Sequence, residues 1–158
     1  MQAHPTDPTP LIEAAFRRIH AERMAGLPLL NPALAIAAVG FALVAGGREW
    51  RGALVTPWCI NLLLLPATAD WPMPASHERV FRDYPAGTFG FLGNREDELG
   101  DYLICPLIHD MQQFADQETA VLTARASLIA LDLAPQGSTE DAAAPASSAR
   151  RKFLSLGG

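Results

Sequence analysis

Residues 54–66, LVTPWCINLLLLP, restrict the fold more than any other stretch of this chain. They carry no charge, and their two apolar runs are hinged at Thr56, Pro57 and Trp58. Residues 62–65 form a continuous apolar run bounded by Asn61 and Pro66. Its length favours a strand buried on both faces over a helix fragment. Composition makes the stretch core, while a Trp beside a Pro also marks a sheltered edge where another segment can lie.

A chain of 158 residues suits one domain with tails and is long enough to bury a core around such a strand. Residues 1–149 carry nine Arg against seventeen carboxylates, a net of minus eight. Arg150, Arg151 and Lys152 form the single basic cluster, so a positive tail succeeds a negative body. That balance argues against nonspecific nucleic-acid binding. Cys59 and Cys105 are the two cysteines, with no CxxC pair, so no metal site made by this chain alone and no cofactor is expected. Unpaired, apolar-flanked cysteines and a start that lacks a secretory pattern fit the cytoplasm. Residues 24–47 are uncharged and long enough to span a bilayer, but Pro28, Asn31, Pro32 and a content of Ala and Gly argue against stable membrane insertion.

Along the chain, residues 1–8 read as a disordered leader. Thr9 as N-cap and Pro10 in the first turn open a helix with Leu11, Ile12, Ala15, Phe16 and Ile19 at helical spacing, stopped by Gly26 and Pro28. Val39, Phe41 and Leu43 alternate as a strand, and Gly46-Gly47 is a hairpin signal leading to a second strand over 50–56. A third ends at Pro66, Phe89 and Phe91 mark a fourth, and residues 102–105 a fifth stopped at Pro106. Residues 78–84 fit a short helix or an edge segment, and Trp71 reads as a cap over the core. A second helix runs from an Asp116 cap to about Leu133, with Val121, Ala124, Leu128 and Leu131 on one face. The expectation is an α+β domain over residues 9–134: a mostly antiparallel five-stranded sheet with an N-terminal and a C-terminal helix packed on one of its faces. Residues 135–158 are a flexible tail.

No phosphate loop, HExxH or GxSxG occurs, and His4, His20, His77 and His109 are scattered. Cys105 and His109 are four apart, but Pro106 breaks the helix that would join them, so a core Cys and a surface His are expected and not an enzyme.

Four blocks in order, LLNPALAIAAVGF, GALVTPWCINLLLLP, YPAGTFGFLGNRE and LGDYLICPLIHDMQQFADQETA, resemble the nickel–iron hydrogenase assembly chaperone family of the HybE and HupJ type. The resemblance implies a cytoplasmic, noncatalytic protein that escorts a hydrogenase small-subunit precursor, holds its twin-arginine signal peptide until the metal centres are in place, and works with other hydrogenase assembly factors. An alternative within the same family reading is a chaperone that clasps the folded small subunit or shields its iron–sulfur clusters from oxygen. Some relatives are joined to a rubredoxin domain with paired cysteines, which this sequence lacks.

The binding residues expected on physical grounds form two groups. Two leader guanidiniums would meet carboxylates among Glu96, Asp97, Glu98 and Asp101, or Asp110 and Asp116, since residues 96–118 hold seven carboxylates and no Lys or Arg. The apolar leader residues would enter a groove at Trp58 and Asn61, with Tyr102, Met111 and Phe114 nearby. The tail reproduces the Arg-Arg-x-Phe-Leu core of such a leader in Arg150, Arg151, Phe153 and Leu154, so it reads as a built-in pseudo-ligand. The competing reading of the tail is a contact with another assembly factor or an anionic membrane surface.

Overall fold

A computed structural model describes residues 2–73 and 78–134. Its central strand β3 (Ile60–Pro66) has all seven residues buried, so both edges and both faces must be covered. At the edges it pairs antiparallel with β2 (Glu49–Val55) and β6 (Gly100–Ile108). Beyond them lie β1 (Ala37–Val44) on one side, and β5 (Gly87–Glu96) with edge strand β4 (Arg79–Tyr84) on the other. The sheet is antiparallel and has six strands in the order β1-β2-β3-β6-β5-β4. The additional strand is β4, a segment whose sequence fits either a helix or an edge.

The two helices lie on opposite faces, not on one. α1 (Thr9–Ile19) packs Ile12, Ala15, Phe16 and Ile19 against Leu54, Leu63, Leu65 and Tyr102. α2 (Gln117–Leu131) packs Ala120, Ala124 and Leu131 against Ala53, Val55, Ile60, Leu62, Leu64 and Leu103. Successive strand residues point to opposite faces, so the four consecutive leucines of β3 need a helix on each side. Periodicity locates a helix along the chain but does not say which face it covers.

Other local expectations shift in informative ways. Asp116 caps α2 as expected, its Oδ1 accepting the Thr119 N–H at 2.8 Å. Thr9 is not the cap of α1: Pro8 takes that place, and Asp7 Oδ1 accepts from both the Thr9 N–H and its hydroxyl. The expected loose leader is tied down at His4, which is 3% exposed; its Nε2–H donates to the Leu99 carbonyl at 2.9 Å, and its own carbonyl accepts the Trp50 indole N–H at 2.8 Å. β6 runs through Pro106 instead of stopping there, because β5 pairing ends at Leu92–Ile104 and the Pro lies beside a register shift against β3. Trp71 caps the α2-side core as expected, donating to the buried Glu49 carboxylate at 2.7 Å, which also takes Arg82. Residues 24–47, the uncharged run, form a turn, a loop and β1, and no helix among the described residues is long and apolar enough to cross a membrane.

Candidate functional site: an apolar pocket beside an arginine–carboxylate clamp

The Thr56-Pro57-Trp58-Cys59 segment is the β2–β3 turn. The Thr56 hydroxyl oxygen accepts the Trp58 and Cys59 N–H groups at 3.2 and 2.9 Å, and the Thr56 hydroxyl lies 2.8 Å from the Cys59 carbonyl. This side-chain-closed turn projects Trp58 over the α1 side of the sheet, where its ring lies 5.7 Å from that of His20. Around it opens a pocket of about 370 Å³ lined by Phe16, Met24, Leu29, Trp58, Cys59, Asn61, Ile104, Pro106 and His109. Its size falls in the range of roughly 300–1,000 Å³ usual for ligand sites.

The pocket wall on the helix side depends on a change of helix type. After Ile19 the chain makes a π-helical turn, His20–Met24. Its five-residue spacing sets Met24 below Ile19, against the same core cluster and into the pocket. Arg23 is swung the other way, to Glu96, with N–O distances of 2.9 and 3.1 Å. Arg18 reaches the same carboxylate at 2.9 Å and grips Glu98 with two bonds of 2.7 and 2.8 Å. The bonds from Arg18 hold the Glu98 carboxyl down at about 2. Burial pushes Glu96 up, but the bonds from Arg23 and Arg18 outweigh it and keep that group below its ordinary range.

The structure therefore sorts the predicted site residues. Trp58 and Asn61 line the pocket. Tyr102 lies beneath α1, its ring 6.2 Å from Phe16, and Met111 and Phe114 are buried in the α2-side core, so none of the three is open to a ligand. Of the carboxylates, Glu96 and Glu98 are filled by this chain's own arginines, Asp101 pairs with Arg95 at 3.2 Å, and Asp116 is taken up by the cap. Asp97 and Asp110 are exposed and carry no ion pair among the described residues. Arg150, Arg151, Phe153 and Leu154 lie outside the described residues. Phe16, Met24, Leu29, Ile104 and Pro106 belong to the pocket although sequence reasoning does not gather them; only the apolar α1 face gives a signal for Phe16 and none singles out the rest.

Cys59 stands in the pocket wall, its Sγ 3.3 Å from Asn61 Oδ1 and 3.9 Å from His109 Nδ1. His109 thus meets Cys59, fifty residues away, and not Cys105, its neighbour in sequence. Burial, with a smaller contribution from Cys105, pushes the Cys59 thiol up to about 12, so it stays protonated at neutral pH.

Three of the four blocks that carry the family resemblance meet at the edge of this pocket. Buried Asn31 donates from Nδ2 to the Met111 and Phe114 carbonyls, both at 2.8 Å, while its backbone N–H donates to the Pro57 carbonyl at 3.0 Å. Gln117 bonds the backbone of Ala35 through both ends of its amide, at 2.8 and 3.1 Å. These residues staple the loop over 29–36 to the Trp58 turn and to the start of α2. The sequence matches, over residues 7–156, the family described as [NiFe]-hydrogenase assembly, chaperone, HybE. This chain belongs to that family. It is 36% identical to the hydrogenase expression/formation protein HoxT of Azotobacter vinelandii over 93% of this chain and 95% of that protein. It is 39% identical to the probable rubredoxin HupJ of Rhodobacter capsulatus over 89% of this chain, which spans 50% of that relative's length. The solution structure of HybE from Escherichia coli has the same fold, with a TM-score of 0.70 at 23% identity, covering 96% of this chain and 91% of the other.

Proposed function

We propose that this member of the hydrogenase assembly chaperone family works in the cytoplasm on the precursor of a nickel–iron hydrogenase small subunit, holding its twin-arginine leader until the metal centres are in place. The observation that supports the reading is one step of backbone. His109 lines the apolar pocket and the next residue, Asp110, is an exposed carboxylate with no ion pair among the described residues, so a site for a guanidinium and the apolar part adjoin. A leader needs that combination: two planar cations and then an aromatic and an aliphatic side chain. Phe and Leu of the leader enter the Trp58 pocket. Its guanidiniums meet Asp110, the open carboxylate at the pocket's edge.

A pull-down tests this. The purified protein is offered the small-subunit precursor with its leader intact, and the same precursor with both leader arginines changed to lysine. Lysine keeps the charge and loses the bidentate fork, so recovery should drop. Equal recovery of the lysine form, or of a precursor without its leader, would favour a chaperone that clasps the folded subunit instead.

A further inference from the structure

The family match extends to residue 156, past the basic cluster, yet the sheet and its two helices are complete by Leu131. The last turn of α2 is fastened beside the sheet's β4 edge: the Ala86 N–H of the β4–β5 turn donates to the Leu131 carbonyl at 3.2 Å, and Asp132 pairs with Arg51 at 2.7 Å. The chain beyond therefore starts at a rim of the sheet, from which either face can be approached. Fifteen residues separate Ala134 from Arg150. A linker of that composition has an r.m.s. span of roughly 20–24 Å and a limit near 50 Å, against a radius of gyration of about 15 Å for the domain.

The segment after the linker complements the pocket in each respect. Arg150 and Arg151 bring two guanidiniums to a body whose net charge is minus eight, and Phe153 and Leu154 bring apolar side chains of the kind the walls of Phe16, Met24, Leu29 and Trp58 would bury. Leu29 is 53% exposed in the described chain, an open wall that an apolar occupant covers. We infer that residues 150–154 occupy the Trp58 pocket of their own chain as a displaceable self-ligand, with the guanidiniums directed to the exposed Asp110, one residue beyond the pocket-lining His109. Glu96 and Glu98 are excluded as their partners, because Arg18 and Arg23 already saturate them. Tethering supplies the tail at roughly millimolar effective concentration, so even a weak contact is substantially occupied. The occupancy rests on the pocket and on the sequence of the tail; displacement by a leader peptide rests on the proposed chaperone function.

The experiment compares the full chain with the same chain carrying Arg150→Gln, Arg151→Gln and Phe153→Ser. The Trp58 indole N–H resonance should shift between the two, and adding a synthetic peptide of residues 149–158 to the substituted chain should move it back. A fluorescent twin-arginine leader peptide, monitored by anisotropy, should bind the substituted chain about two- to tenfold more tightly, as expected for removal of a competitor held near millimolar concentration. An unmoved Trp58 resonance overturns the occupancy. A moved resonance with unchanged or weaker leader affinity overturns the competition. Failure of both chains to bind the leader overturns the proposed function, and the Trp58 resonance still decides whether the tail sits in the pocket.

Discussion

The two faces of the sheet are built from the same strands and finished differently. The α2 side is sealed: Leu62, Leu64, Phe91 and Leu103 are fully buried beneath Trp71 and Leu131, and Glu49 satisfies Trp71 and Arg82 inside it. On the α1 side, only Ile12 to Ile19 pack as a regular helix; after them the chain turns into a π-helical segment, held by an arginine–carboxylate clamp, and leaves a pocket open at Trp58. One face commits its apolar surface to stability, the other withholds part of it. Stability and binding should therefore respond to different substitutions.

The largest effect should come from the sealed side. Leu64→Ala removes a side chain with no exposure and should cost about 2–5 kcal/mol in urea unfolding, leaving leader affinity unchanged for the folded fraction. A loss of affinity in the folded protein would break the contrast. Next, Asn31→Ala strands the buried Met111 and Phe114 carbonyls and should cost about 1–3 kcal/mol by the same measurement.

Acid should separate the helices. Glu96 and Glu98 are held below their ordinary values, so their contribution is fully present above the unfolded carboxylate range near pH 4.3. It is lost as pH falls through the folded values, reaching about 2 for Glu98. On the other face, α2 depends on one carboxyl of this kind, Asp116, held low by the Thr119 N–H. Amide exchange measured from pH 5 to pH 2 should show the C-terminal end of α1 loosening more than α2; the opposite order would undo the assignment of the clamp to the open face. The smallest effect on stability is expected for Trp58→Ala, under about 1 kcal/mol because the ring is only half-buried at the pocket edge. The same variant should weaken leader binding by more than about tenfold if Trp58 anchors the apolar residues.

Much of the fold is legible in the sequence because its signals are local. The spacing of Ile12, Ala15, Phe16 and Ile19, the Asp116 cap, the Gly46-Gly47 turn and the run over 62–65 each depend on a few neighbouring residues, and each forms as read. Of the site, Trp58 and Asn61 are legible because their strand and turn are. Met111 and Phe114 mislead because an apolar residue near a charged stretch reads alike whether it faces a groove or the core. His4 misleads because a polar residue in an irregular stretch gives no sign of a carbonyl waiting ninety-five residues away.

The sequence by itself determined where five of the six strands and both helices lie, that β3 is covered on both faces, and that the body is acidic, since periodicity and composition are properties of short windows. Which helix covers which face, and which carboxylates remain free, were decided only by the tertiary structure. Arg18 and Arg23 find Glu98 and Glu96 across eighty and seventy-three residues of chain, and whether a charge is available to a partner depends on what folding has already placed beside it.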